Sequence, residues 1–110
     1  MHYMGEQRII YVGHKARHLY IRAVVMAMEG GERDVVLVAR GGCIRNAVDV
    51  AEMCRRRFGY VAEGLPENMS IAGIESDTEE VEREDGRTSN VSVLKINLVG
   101  EGEIPPREEE

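Results

Sequence analysis

The sequence predicts an α/β fold, an α+β two-layer sandwich with the element order β-α-β-α-β-β, and three observations predict it. Two β-branched or apolar runs, residues 8–12 and 34–39, each end at a glycine and give way to a segment of helical character. In the second of those segments Ile44, Ala47, Val48, Ala51, Cys54 and Phe58 recur at the spacing of one helix face. Near the C-terminus, Asp85-Gly86 lies between two strand-like stretches and marks a hairpin turn. At 110 residues the chain is one domain with a single modest core.

The first strand covers 8–12, and Gly13-His14-Lys15 ends it. The first helix runs from Arg17 to Glu29 without Gly or Pro. Nine of the ten residues 19–28 are apolar, so this helix is covered on more than one side, and Gly30-Gly31 closes it. Val35-Val36-Leu37-Val38, bounded by charge, suits a central strand buried on both faces. The second helix covers 43–58, with Arg55, Arg56 and Arg57 in its last turn, where cations favour the helix dipole. Residues 69–76 form a strand with Gly73 as a bulge. The polar stretch 77–90 forms the hairpin arms and tip, and 91–99 alternates as the last strand. The first β-α-β unit is parallel and right-handed. About seven residues on each side of the tip, at roughly 3.3 Å each, carry the hairpin about 20 Å beyond the core. The domain is therefore 8–99, followed by an acidic, disordered tail at 100–110.

Composition narrows the function. The net charge of −6 disfavours nucleic acid at first sight, but the charge is unevenly spread. Residues 1–62 carry ten Arg or Lys against six carboxylates, and residues 63–110 carry four against fourteen. Twelve of the fourteen cations are Arg, which engages phosphate bidentately. Residues 1–7 have no basic segment followed by an apolar one, and no apolar run is long enough for a bilayer, so a cytoplasmic protein is expected. Cys43 and Cys54 are about three turns apart on one helix, too far to bridge, and read as small buried hydrophobes.

Three Gly-containing loops each carry a cation: Gly13-His14-Lys15, Arg40-Gly41-Gly42 and Asp85-Gly86-Arg87. Two of them open helices, where free N–H groups and side-chain charge point the same way toward phosphate. The candidate nucleic-acid contacts are His14, Lys15, Arg17, Arg40, Gly41, Arg45, Asn46 and Arg87. His14 and His18 have a spacing that can hold metal, but Lys15 and Arg17 repel a cation and no Glu stands beside His14, so no metal or other cofactor is expected. The six carboxylates between Asp77 and Asp85 alternate between strand faces and lack a nearby acid or base. They read as solvated hairpin arms that protect a sheet edge, not as a nuclease centre. There is no Walker or G-x-G-x-x-G motif, no GXXG loop and too little aromatic content for an RNA-stacking sheet, so a non-enzymatic binding protein is the expectation.

The motifs and their order resemble the Alba family of archaeal chromatin proteins over about residues 8–99. Gly13, Lys15 and Tyr20 match its first motif. Ala39, Arg40, Gly41, Ile44, Ala47, Val48 and Asp49 match the second, and Asp85, Gly86, Arg87, Ser89, Val91 and Ser92 the third. The resemblance implies a symmetric dimer that binds duplex DNA, and RNA as well, with little sequence preference, packaging chromatin in the cytoplasm. It implies contact roles for Lys15, Arg40 and Arg87, and a dimer–dimer contact at Phe58. His14 stands where the family has lysine and Gly42 where it has arginine; with the acidic hairpin, these departures resemble a divergent second paralogue. The open alternatives are an RNA-directed role in a ribonucleoprotein and an acidic partner that forms a heterodimer with a basic paralogue.

Overall fold

A computed structural model describes residues 7–106. The elements are β1 (Arg8–Tyr11), α1 (Arg17–Glu29), β2 (Asp34–Arg40), α2 (Ile44–Arg56), β3 (Asn68–Glu82) and β4 (Thr88–Glu101), with 3-10 turns at Gly41–Cys43 and Ala62–Gly64. The sheet order is β1-β2-β4-β3, with β1 and β2 parallel and the other pairs antiparallel. The expected α+β order is present.

Both helices pack on one face of the sheet. Ile21, Val24 and Met28 of α1 meet Ala47, Val50 and Cys54 of α2 over Val35, Leu37, Ile96 and Leu98. The α1 sequence is apolar nearly all round, yet Leu19 and Met26 are exposed, so its cover is less complete than the sequence suggests. On β2 the expectation of burial on both faces is met in part: Val35 and Leu37 are fully buried on the helix-covered face, and Val38, on the other face, is 5% exposed. Val36, on the same face as Val38, is only half-buried, and Ile9 and Tyr11 beside it are exposed. No helix among the described residues is long and apolar enough to cross a membrane.

The second helix is shorter than expected and its stripe is rotated. Arg57 takes a left-handed conformation (φ 50°, ψ 44°), and its N–H and that of Phe58 donate to Cys54 and Met53 carbonyls, which closes the helix at Arg56. Phe58 thus falls beyond the helix and is 58% exposed, Val50 is buried, and Val48 faces outward. Cys54 is a buried apolar group, whose thiol burial pushes up to about 12. Cys43 departs from the expectation: it lies in the 3-10 turn and is only half-buried.

The hairpin strands are longer than their composition suggests. Every residue from Asp77 to Glu82 pairs with β4, up to Glu82 opposite Thr88, so ladder hydrogen bonds carry a poorly β-prone sequence outward. The register breaks between Ile71 and Gly73, where the bulge is expected. At the tip, Gly86 takes φ 86°, its N–H donates to Arg83 O, and the Arg87 N–H donates to Asp85 Oδ1 at 2.9 Å.

The tail expectation needs correction at its start. Gly100 and Glu101 belong to β4, Arg33 Nη1 donates to Gly102 O at 2.8 Å, and the Glu67 N–H donates to Glu103 O at 2.9 Å. Residues 107–110 lie outside the described residues. Gly100 is needed for its size. A Cβ there would stand 2.6 Å from Met28 Sδ and 2.9 Å from Pro66 Cγ. Gly100→Ala is therefore expected to cost about 1–2 kcal/mol, read as a fall of roughly 5–10 °C in a thermal melt.

Candidate nucleic-acid interface

Because β1 and β2 are parallel, their C-terminal ends lie side by side, and the loops that follow them meet at one end of the molecule. Pairing continues one residue beyond β1, where the Val12 N–H donates to Val38 O at 2.8 Å. The chain then enters the loop that carries His14 and Lys15.

That loop is held from both sides. The Tyr20 hydroxyl oxygen, one turn into α1, accepts the N–H groups of Gly13 at 2.9 Å and Lys15 at 3.1 Å. From α2, Asn46 Nδ2 donates to Gly13 O at 2.8 Å and Lys15 O at 3.2 Å. Four hydrogen bonds thus fix the backbone around His14 while the Lys15 side chain stays free of them. Among the described residues, no carboxylate lies within ion-pair distance of Lys15 or Arg45. Neither α1 nor α2 has a side-chain cap at its N-terminus, so the partial positive charge of both first turns faces the same end.

The two loops also touch directly. His14 Nε2 lies 3.3 Å from Cys43 Sγ. Gly41 adopts φ +56°, the left-handed conformation that a side chain resists, and it turns the chain from β2 into α2 directly after Arg40. The structure therefore brings together His14, Lys15, Arg40, Gly41, Arg45 and Asn46. Asn46, expected as a contact, spends its amide on the loop carbonyls and acts as a positioning residue.

Three of the expected cations face carboxylates of the same chain, Arg17 and Arg40 closely and Arg87 at longer range. Arg17 Nη1 pairs with Asp49 Oδ2 at 3.3 Å, tying the start of α1 to α2. Arg40 makes a two-pronged pair with Glu79 on β3, Nε to Oε1 at 2.8 Å and Nη2 to Oε2 at 3.0 Å. The Glu79 hydrogen bond raises the Arg40 pKa, and Arg40 in turn holds the Glu79 carboxyl below the usual carboxylate range. The Tyr11 ring lies 6.0 Å from the Arg40 guanidinium carbon.

Arg87 and Phe58 do not join this cluster. Arg87 sits at the hairpin tip, with its side chain 84% exposed and Asp85 Oδ2 at 3.9 Å. Phe58 follows the opposite end of α2, where the Arg56 guanidinium lies 5.5 Å over its ring. No group of three or more His, Cys, Asp or Glu among the described residues could hold a metal ion. Sequence reasoning missed Tyr20 as the loop's clamp and Glu79 as the partner of Arg40. The first is signalled by a tyrosine five residues after Lys15 on the helix that the loop opens. The second depends on strand register and has no local signal.

One small α+β domain thus carries cationic loops gathered at one sheet end and a long hairpin tipped by arginine. The chain belongs to the Alba family, whose model matches residues 8–63. It is 38% identical over 95 residues to the DNA/RNA-binding protein Alba of Methanocella arvoryzae, covering 86% of this chain and 92% of that one. It is also 38% identical over 89 residues to DNA/RNA-binding protein Alba 1 of Archaeoglobus fulgidus, covering 81% and 91%. The solved structure of Alba from Thermoplasma volcanium superposes with a TM-score of 0.69 at 35% identity, covering 84% of this chain and 99% of that one. These relatives are named for binding or for the family, not for a reaction.

Proposed function

We propose that this protein binds double-stranded DNA architecturally, without sequence preference and as a dimer, and contributes to chromatin packaging in the cytoplasm. The observation that carries the reading is Lys15: a cation without a carboxylate partner among the described residues, on a loop fixed by four hydrogen bonds. Arg40 and Arg45 flank it from the neighbouring loop and helix start, and Arg87 extends the reach from the hairpin tip. Such cations neutralise backbone phosphates, which position a protein on the duplex and carry no base information. Arg17 and His14 contribute from the same end, Arg17 through a guanidinium shared with Asp49 and His14 as a donor to phosphate.

Dimerisation draws support from the uncovered sheet face. Ile9 and Tyr11 are exposed there beside half-buried Val36, an apolar surface that a second copy would cover. Phe58, exposed at the far end of α2, is available for contact between dimers. RNA is the second reading, favoured by the names of the relatives, which pair DNA with RNA. The acidic hairpin supports a third arrangement, pairing with a more basic paralogue as a heterodimer.

The test is a titration of labelled 20–30 base-pair duplexes and structured RNA at several salt concentrations, with the mass in solution measured alongside. The expected result is binding to unrelated duplexes with similar affinity, falling by about 0.9 log units per log unit of salt for each phosphate contact. The expected mass is twice the 12.3 kDa of one chain. Strong preference for one DNA sequence, or no binding at low salt, would overturn the architectural reading. Tighter binding to RNA than to DNA of equal length would favour the RNA reading.

A further inference from the structure

Resting on the nucleic-acid reading above, we infer that Glu79 sets how tightly this chain holds nucleic acid, by occupying the Arg40 guanidinium that a backbone phosphate would otherwise engage. The two residues are far apart in sequence and two strands apart in space. Arg40 stands opposite Val93 on β4, and Val93 stands opposite Asp77 on β3, two residues before Glu79 on the same face. The pair therefore reaches across β4, fixed by register on both sides.

Its geometry is that of a phosphate contact. Two parallel N–H···O bonds, 2.8 and 3.0 Å long, use the same fork that arginine offers to two phosphate oxygens. A phosphate can engage that fork only by displacing the carboxylate, so one charge-assisted pair is exchanged for another and the gain is small. Displacement is open to it, because both side chains are about half exposed, 46% for Arg40 and 49% for Glu79. Such a pair is screened and modest in strength, unlike a buried ion pair whose loss leaves a stranded charge. Lys95 of β4 and Glu75 of β3, opposite each other in register, line the same groove.

Strand alternation supplies the control. Glu80 is the next residue along β3 and points to the other face of the hairpin. Glu79→Gln and Glu80→Gln remove the same charge at nearly the same distance from the loops, but only the first frees Arg40. The experiment measures duplex affinity and its salt dependence for the full chain, both single variants, Arg40→Gln, and each glutamate change combined with Arg40→Gln.

Glu79→Gln is expected to tighten binding about three- to fivefold, the worth of a half-exposed ion pair. It is also expected to steepen the salt slope by about 0.9 for each Arg40 contact released. Glu80→Gln is expected to change affinity by less than about twofold, and in the Arg40→Gln background the two glutamate changes are expected to be equal. Equal gains from both glutamate changes in the natural background would overturn the inference, as would a Glu79 effect that survives loss of Arg40. Salt-dependent binding by the natural chain that Glu79→Gln leaves untouched overturns this inference alone. Failure of every protein to bind DNA or RNA overturns the nucleic-acid reading, and this inference with it.

Discussion

Lys15→Glu is expected to weaken duplex binding at least about thirtyfold while leaving the thermal midpoint within about 2–4 °C. The binding estimate follows from one charged hydrogen bond to phosphate, about 2 kcal/mol, which is roughly thirtyfold in affinity; the reversed charge adds repulsion. The stability estimate follows from the loop's construction. Its backbone is held through the N–H and carbonyl of Lys15, not through its side chain, which is exposed and forms no ion pair among the described residues. Surface changes of this kind stay within about 0.5 kcal/mol. Fluorescence anisotropy with a labelled duplex, beside a calorimetric melt, checks both halves. An affinity within threefold of the natural chain would remove Lys15 from the interface.

Releasing the loop's clamps has the opposite profile, a change in stability that carries binding with it. Tyr20→Phe combined with Asn46→Ala removes the four hydrogen bonds that fix Gly13 and Lys15 and alters no charge near neutral pH. Each is worth about 0.5–1.5 kcal/mol net, and those near the surface sit at the lower end, so a total of about 2–4 kcal/mol is expected. For a domain of this size that is a fall of roughly 10–20 °C in the midpoint. Duplex affinity is expected to fall about tenfold at temperatures where the variant is folded, because the loop must then be ordered on binding. The salt slope is expected to stay unchanged, since every cation remains. A slope reduced by a full phosphate contact would show that Lys15 or another cation no longer reaches phosphate once the loop is freed.

The contrast between these two variants marks what local sequence carries and what it does not. The placement of Lys15, Arg40 and Arg87 on turns was legible because each lies within two residues of a glycine where one element gives way to another, a pattern confined to a few residues. Both strand-to-helix units were legible for the same reason, from Val35-Val36-Leu37-Val38 and from the glycines that follow β1 and β2. The end of α2 was not, since Arg57 accepts a left-handed conformation without being glycine. Nor was the length of β3, because Asp77 to Glu82 gains its strand from pairing with β4 against its own propensity. Glu79 belongs with these: its partner is set by register across three strands. Asn46 was legible as a member of the site but not in its role, which appears only once two loops are folded against each other.

The hairpin has a consequence for how this molecule comes apart. From Thr78 to Val81 on one arm and Ser89 to Ser92 on the other, most side chains are exposed or only half-covered, and none of them belongs to the core. Unzipping the distal arms breaks ladder hydrogen bonds and the half-exposed Arg40–Glu79 pair but uncovers little apolar area. Denaturant sensitivity scales with area exposed, so urea and heat register the body and scarcely feel the arms. Two tiers of stability are therefore expected: a cooperative body that presents the loop cations, and arms that open at a lower free energy than the whole. On the proposed reading, a duplex whose grooves vary in width would meet a rigid seat and a pliant reach in the same chain.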